Sequence, residues 1–167
     1  MGLTPLGAVW KGMAAGAAGT LAMDLYWFAR QRATTDRGSF WAWETSAGLD
    51  DWEKAPAPAQ IGKRIIEGML GRELSPRRAR LIANIVHWTY GTLWGTAYGV
   101  IAGSTTKPKA AHGLPLGVAV LVADYTVLPV AKLYKPIWEY DTRTIAEDLG
   151  GHVVYGIGTS AAFSRLT

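Results

Sequence analysis

The sequence contains no cysteine and few charged residues. Without a thiol, the chain has no disulfide scaffold, no thiolate metal site and no cysteine nucleophile. Charged residues make up 18% of the 167 residues, whereas a typical soluble domain has about a quarter. Hydrophobic residues make up 49%, and this apolar content excludes an intrinsically disordered chain. The length allows one domain or a small set of membrane helices.

Four stretches of the chain are almost free of charge. The first three cover residues 12–29, 81–106 and 110–131, and a helix needs about 20 residues to span a bilayer. The fourth reaches that length if its helix begins near Thr142. Buried helices of a soluble fold are the alternative, but uncharged runs this long are rare there. We therefore predict an all-α integral membrane protein, a single membrane domain over 1–167, with transmembrane helices at about 8–30, 81–104, 111–132 and 143–164.

Basic residues predict the orientation of these helices. The segment 30–80 carries ten Lys or Arg residues and the segment 132–143 carries three, whereas the opposite side has only Lys11, Lys107, Lys109 and Arg165. By the positive-inside rule, both large loops face the cytoplasm and both termini lie outside it. Trp10, Tyr26 and Trp138 stand near the predicted helix ends, where aromatic rings favour the headgroup region. We expect a multi-pass protein of the plasma (inner) membrane.

The first cytoplasmic loop contains one amphipathic segment, at about 58–70. Ile61, Ile65 and Met69 share one side of this predicted helix, which we expect to lie in the membrane interface. Docking of a partner protein is the alternative. A basic cluster at 77–80 precedes the second spanning helix and fits contact with anionic lipid. Because the positive charge flanks a membrane, we expect no nucleic-acid partner. The expected partners are the lipid bilayer and either a second copy of the chain or a larger membrane complex.

An internal repeat relates the two halves of the chain. Residues 87–91 (HWTYG) and 152–156 (HVVYG) both read H-x-x-Y-G, and each of these helices follows a helix with a single carboxylate, Asp24 or Asp124. This pattern predicts a parallel two-plus-two repeat about an axis along the membrane normal. Chance similarity between apolar helices is the alternative.

Glycines recur at every fourth position of the second spanning helix. Such a small-xxx-small ladder lets a neighbouring backbone approach closely. The first helix carries a matching pair, Gly12 and Gly16. We therefore predict a tightly packed four-helix bundle, without inferring any chemistry, from the ladder Gly91, Gly95, Gly99 and Gly103.

Several polar side chains share one predicted depth in the cytoplasmic half of the membrane. With a rise of about 1.5 Å per residue, the two aspartates and two histidines fall within one slab. We predict a buried polar layer that consists of Asp24, His87, Asp124 and His152, flanked by Tyr90 and Tyr155.

The layer allows several functions. In a structural role, each aspartate accepts a hydrogen bond from a neighbouring helix and fixes its register. In a functional role, the layer responds to protons or moves them, because histidine titrates near neutral pH and buried charges often mark function. Two histidines on alternate helices are also compatible with haem ligation, and two Asp with two His are compatible with a non-haem metal.

No motif of a soluble enzyme is present. We therefore predict no catalytic residue, no bound metal and no cofactor. Glu147 and Asp148 lie near His152, so acid–base work on a lipid headgroup is a further alternative. Acidic residues there also suit the N-terminal turns of a helix. We therefore favour a non-enzymatic protein, with an electron carrier, an accessory subunit and a lipid-acting enzyme as alternatives.

Two segments resemble a known family. Residues 52–99, which begin WEKAPAPAQIGKRI and end HWTYGTLWGTAYG, and residues 134–156, YKPIWEYDTRTIAEDLGGHVVYG, are similar to small bacterial inner-membrane proteins of the YagU-like type. That family is a domain of unknown function with an association with acid resistance. The resemblance implies a multi-span plasma-membrane protein with a role in envelope or acid stress. It implies no catalytic residues.

Overall fold

The computed structural model describes residues 3–33, 38–104 and 110–167, and within these ranges the chain is helical without strands. This confirms the predicted all-α class. Three basic residues used to predict the orientation, Arg37, Lys107 and Lys109, lie outside the described residues. The described α-helices are α1 (Pro5–Arg32), α2 (Phe40–Glu44), α3 (Ala57–Leu70), α4 (Ala79–Ala102), α5 (Gly113–Val130) and α6 (Thr142–Leu166).

Long helices lie at the four positions where the sequence predicts spans, and α3 lies at the predicted amphipathic segment. The short helix α2 is not predicted by the sequence pattern. Its N-cap, Ser39, accepts a hydrogen bond from the backbone N–H of Ala42. Asp141 caps α6 in the same way through the N–H of Thr144, because short polar side chains satisfy the free N–H groups of a helix start.

Hydropathy distinguishes one helical segment from the other described helices. Ala110–Val130, which contains α5, is long and apolar enough to cross a membrane, with a mean hydropathy of 1.7. By the same criterion no other described helix qualifies, because glycine, threonine, tyrosine and histidine lower the average. Composition alone therefore supports one membrane-crossing helix, and a four-span arrangement needs support from another property.

The glycine ladder of α4 packs against α1. A Cβ atom on Gly95 would overlap the backbone of Gly16, and one on Gly99 would lie 2.6 Å from the Cα atom of Gly12. Gly91 faces the Thr20 side chain in the same groove. The fourth member of the ladder, Gly103, lies against Ala8. Side chains larger than hydrogen are excluded here, so the two backbones touch.

A second pair of helices uses the same device. Gly113 of α5 packs against the backbone of Gly156 of α6, and Gly117 packs against the backbone of His152. Helix α6 also packs on α1, where Gly19 faces Thr159. The bundle therefore has three extensive helix contacts: α1 with α4, α5 with α6, and α1 with α6, the last of which joins the two pairs.

Helices α2 and α3 lie beside the α1–α4 pair. Gly62 of α3 faces Ile82 and Val86 of α4, so this side of α3 is covered. Met69 of α3 is 81% exposed and Ile65 is 56% exposed. The amphipathic helix therefore has one side on the bundle and an apolar side that nothing in the described structure covers.

Candidate functional site

The first Asp–His pair joins α1 to α4. Asp24 is buried, and both of its carboxylate oxygens lie within 3.0 Å of the His87 Nε2 atom. The glycine contacts between the same two helices bring them close enough for this bond. The Nε2–H group of a neutral His87 can donate to the Asp24 carboxylate. The pair therefore needs no proton beyond the one that neutral His87 already carries.

The second Asp–His pair joins α5 to α6 and differs in its proton count. His152 Nδ1 lies 2.7 Å from the backbone carbonyl of Asp148, and His152 Nε2 lies 3.1 Å from Asp124 Oδ2. A carbonyl only accepts, so Nδ1 carries a proton. A hydrogen bond between Nε2 and Asp124 then requires one more proton, either on the imidazole or on the carboxyl group.

Tyrosine hydroxyls link the two halves of the bundle. Tyr90 of α4 donates to Asp124 of α5 at 2.7 Å, and Tyr155 of α6 donates to the Gly91 carbonyl of α4 at 2.6 Å. The two H-x-x-Y-G tyrosines are therefore not equivalent, because only Tyr90 reaches a carboxylate. The structure thus places all six residues of the predicted layer together, but Tyr155 binds backbone and not an aspartate.

A cavity of about 440 Å³ lies between the two pairs of helices. Asp124 and His152 of the second pair border it, and His87 of the first pair does so as well. Its wall is mostly aromatic and aliphatic, with a few polar groups, which is typical of an internal binding cavity. Near one end, burial and the charges of Asp148 and Asp124 raise the pKa of Tyr134 to about 12. The polar groups in its wall include His87, Tyr90, Asp124, Tyr125, Asp148, His152 and Tyr155.

Glu44 is a site residue that the sequence pattern does not reveal. It is buried, and a ligand atom of Glu44 lies within 4.8 Å of ligand atoms of Asp24 and His87. Burial and the neighbouring Asp24 charge raise the pKa of Glu44. The one signal in the sequence is its place in an aromatic segment, 40–43, that packs on the bundle through contacts between Phe40 and Phe28.

The end of α2 is fixed to α4, and this fixes Glu44. Thr45 accepts hydrogen bonds from the Arg80 side chain at 2.8 Å and from the Asn84 side chain at 3.1 Å. On the other side, Trp43 donates to the Gln31 side chain of α1 at 3.1 Å. Short α2 is thus held on both flanks, which keeps the Glu44 carboxyl group directed at the Asp24–His87 pair.

A second cavity, of about 920 Å³, opens on this first pair. Asp24, Glu44 and His87 all border it, together with Asn84 and Lys54. The cavity connects the three potential ligands to the surface beside α2. An ion therefore has a route to this group of side chains.

The alternatives drawn from the sequence fit the geometry less well. His152 uses both ring nitrogens, so it offers none to a haem iron. The four-ligand metal set of two Asp and two His does not converge, because each histidine faces its own aspartate. Among the described residues the one group with metal-ligand spacing is Asp24, Glu44 and His87.

The lipid-acting site predicted as an alternative is also dispersed. Glu147 pairs with Arg30 at 2.5 Å and with Arg143 at 2.8 Å. Asp148 instead accepts from Tyr125 at 2.5 Å. The two carboxylates therefore serve separate contacts and do not flank a common reaction centre with His152.

Comparisons with family models, with curated proteins and with solved structures return no match to this chain. The function must therefore be argued from the residues and their geometry.

Proposed function

We propose that this chain is a multi-span plasma-membrane protein, not an enzyme, in which the Asp124–His152 pair takes up and releases a proton. The proposal includes the predicted four spans and the two-plus-two repeat. It also includes the role in envelope or acid stress that the resemblance to YagU-like proteins implies. The observation that carries it is the extra proton that the His152 hydrogen bonds require.

Exposed apolar side chains support a membrane environment around the bundle. Ile101 is 71% exposed, Leu93 is 61% exposed and Val122 is 58% exposed. Soluble monomers rarely expose apolar patches of more than a few hundred Å², whereas a lipid-facing surface consists of such residues. Trp10 and Trp138, 61% and 81% exposed, suit the interface with headgroups.

Helix lengths also support four spans. Helices α1, α4 and α6 have 28, 24 and 25 residues, each beyond the roughly 20 that a bilayer requires. Helix α5 has 18 residues and a preceding 3₁₀ turn. Four polar side chains of α1 and α6 are buried in the bundle and lower the hydropathy of these helices without facing lipid: Thr20, Asp24, Thr159 and Ser160.

The pairing of helices supports the two-plus-two repeat. In each half, the aspartate of the first spanning helix meets the histidine of the second, and glycines bring the two backbones together. The halves then differ in what surrounds the pair. Asp124 has a tyrosine as its third neighbour, whereas Asp24 has a second carboxylate, Glu44.

The surroundings of the second pair suit proton exchange. A carboxylate and an imidazole that share a proton gain or lose it together as one coupled unit. The titratable groups that face the pair are Tyr90 from α4, Tyr125 and Asp148 beside the His152 contact, and Tyr134 and His87 across the cavity. Glu147, one residue before Asp148, forms ion pairs with both Arg30 and Arg143, so this neighbouring group keeps one positive charge.

Nuclear magnetic resonance of the three histidines tests the proposal. In detergent-solubilised protein labelled with ¹⁵N-histidine and ¹³C-aspartate, we expect the His152 nitrogen signals and the Asp124 carboxyl signal to follow one titration curve between about pH 4 and 9. Asp124→Asn should change the His152 curve. The control is His112, which lies outside the layer and whose signals should be the same in both proteins.

Two outcomes would contradict proton exchange. The His152 signals remain constant over the whole pH range, or Asp124→Asn leaves their titration unchanged. Either result would make the pair a structural link that fixes the register of α5 and α6.

A further inference from the structure

We propose that Asp24, Glu44 and His87 form a binding site for a divalent transition-metal cation, with Zn²⁺ as the preferred ion. This site lies in the first half of the chain and goes beyond the proton function proposed for Asp124 and His152. Three elements supply one ligand each, α1, α2 and α4.

The first argument is an unsatisfied buried atom. Glu44 is 8% exposed, and its Oε1 atom has no hydrogen-bond partner among the described residues. A buried oxygen without a partner costs roughly 1–3 kcal/mol, and more when it is charged. A cation bound here would provide the missing partner. The unpartnered Glu44 Oε1 atom therefore points to a bound cation.

The second argument is charge balance. A carboxylate oxygen of Glu44 lies within 4.8 Å of one of Asp24 and of a ring nitrogen of His87. When both carboxyl groups are ionised, they place two negative charges beside one neutral imidazole in a buried position, where unpaired charge is costly. Lys54 lies on the cavity wall, but no ion pair joins it to this group in the described structure. One divalent cation balances both carboxylates.

The third argument is the ligand set and its geometry. Zn²⁺ binds imidazole nitrogen and carboxylate oxygen at about 2.0–2.2 Å, which places tetrahedral ligands about 3.3 Å apart. The ligand atoms here lie within 4.8 Å of one another, and the flexible Glu44 side chain can close the difference by rotation. On binding, His87 would change tautomer: Nε2 would release its proton to solvent and Nδ1 would take one up, so the imidazole would stay neutral. The 920 Å³ cavity gives the ion its route and leaves its fourth position to water.

The imidazole ligand decides between classes of cation. Ca²⁺ and Mg²⁺ favour sets made only of oxygen, whereas imidazole favours Zn²⁺ and its transition-metal neighbours. Among the described residues, the Asp124–His152 pair has no third metal ligand, because a tyrosine, Tyr90, stands beside Asp124 where the first pair has a carboxylate. The site therefore depends on Glu44.

Calorimetric titration tests this site in the full-length protein, purified in detergent without a histidine tag and treated with EDTA. We expect ZnCl₂ to bind saturably with one ion per chain, and MgCl₂ at equal concentration to give no saturable binding. Glu44→Gln should weaken Zn²⁺ binding at least about tenfold, because loss of even an outer-shell partner has an effect of that size. Glu53→Gln, an exposed acid on the same connection, is the matched control and should bind as the unaltered protein does.

The proposal is overturned if the unaltered protein shows no saturable Zn²⁺ binding, or if Glu44→Gln binds as tightly as Glu53→Gln. X-ray absorption at the zinc edge provides a measurement on the unaltered chain that does not depend on the folding of any variant. One imidazole with oxygen ligands is the expected spectrum, and a zinc ion without imidazole scattering would overturn the site. Asp124→Asn should leave Zn²⁺ binding intact, which separates this test from that of the proton function.

Discussion

The Tyr90 hydroxyl group lies 2.7 Å from the Asp124 carboxylate and joins the two halves of the bundle. Tyr90 belongs to the first H-x-x-Y-G motif, and Asp124 belongs to the helix that precedes the second motif. The bond therefore crosses between the halves at the depth of the polar layer. Through Asp124, Tyr90 is also connected to His152.

Removal of this hydroxyl should loosen the contact between the halves. Tyr90→Phe deletes the donor and leaves the ring, so we expect the free energy of unfolding to fall by about 1.5–3 kcal/mol, the range for a hydrogen bond to a charged group. Thermal unfolding in detergent measures this change. An unaltered melting temperature would show that Asp124 exchanges the hydroxyl for water at no cost.

The glycine seam should tolerate no side chain. Gly95→Leu forces α1 and α4 apart where their backbones touch, so we expect a loss of about 3 kcal/mol or more, at the upper end of overpacking effects. Gly68→Leu is the control, because nothing lies within 4 Å of a Cβ atom at that position. Equal melting temperatures for the two variants would contradict the contact.

The absence of cysteine allows a direct test of the proposed membrane topology. Ser75→Cys precedes α4 on the cytoplasmic side, and Ser104→Cys follows α4 on the outer side in the four-span arrangement. A membrane-impermeant maleimide added to intact cells should label only Ser104→Cys, and permeabilised cells should label both. Labelling of Ser75→Cys in intact cells would reverse the orientation, and labelling of both would remove α4 as a span.

Acid should weaken the start of α6. The N–H and hydroxyl groups of Thr144 donate to Asp141 and hold the pKa of its carboxyl group below its usual value. A carboxyl group with a lowered pKa stabilises the fold above its unfolded pKa of about 3.9, and this stabilisation is lost as the pH falls through the folded value.

Asp141→Asn keeps a capping side chain without a titrating proton. Below about pH 4, its melting temperature should therefore fall less steeply than that of the unaltered protein. Melting curves at stepwise lower pH measure the difference. Parallel curves for the two proteins would show that the charge of Asp141 contributes nothing to the cap.

Much of the helical framework follows from local sequence. The positions of α1, α4 and α5 follow from the nearly uncharged runs that contain Asp24, His87 and Asp124. Helix formation depends on neighbours three and four residues apart, so such runs predict helices. The glycine spacing around Gly95 indicates a close helix contact for the same reason. Neither pattern specifies which helix is the partner.

The H-x-x-Y-G repeat predicts equivalent surroundings for the two Asp–His pairs. The tertiary structure shows that their surroundings differ. Tyr90 reaches Asp124, whereas Tyr155 turns to the Gly91 carbonyl. These partners lie 34 and 64 residues away along the chain, so no short-range pattern encodes the difference.

Sequence alone thus determined the helical class, the segments with few charges and which polar side chains those segments contain, since these depend on composition and periodicity. Only the tertiary structure decided that Glu44 joins Asp24 and His87, because the residues come from three helices and meet through long-range packing. The tertiary structure also decided how many protons the Asp124–His152 pair needs for its hydrogen bonds. That number depends on the backbone carbonyl of Asp148, which accepts a hydrogen bond from His152 Nδ1. The other ring nitrogen, Nε2, then faces the Asp124 carboxylate.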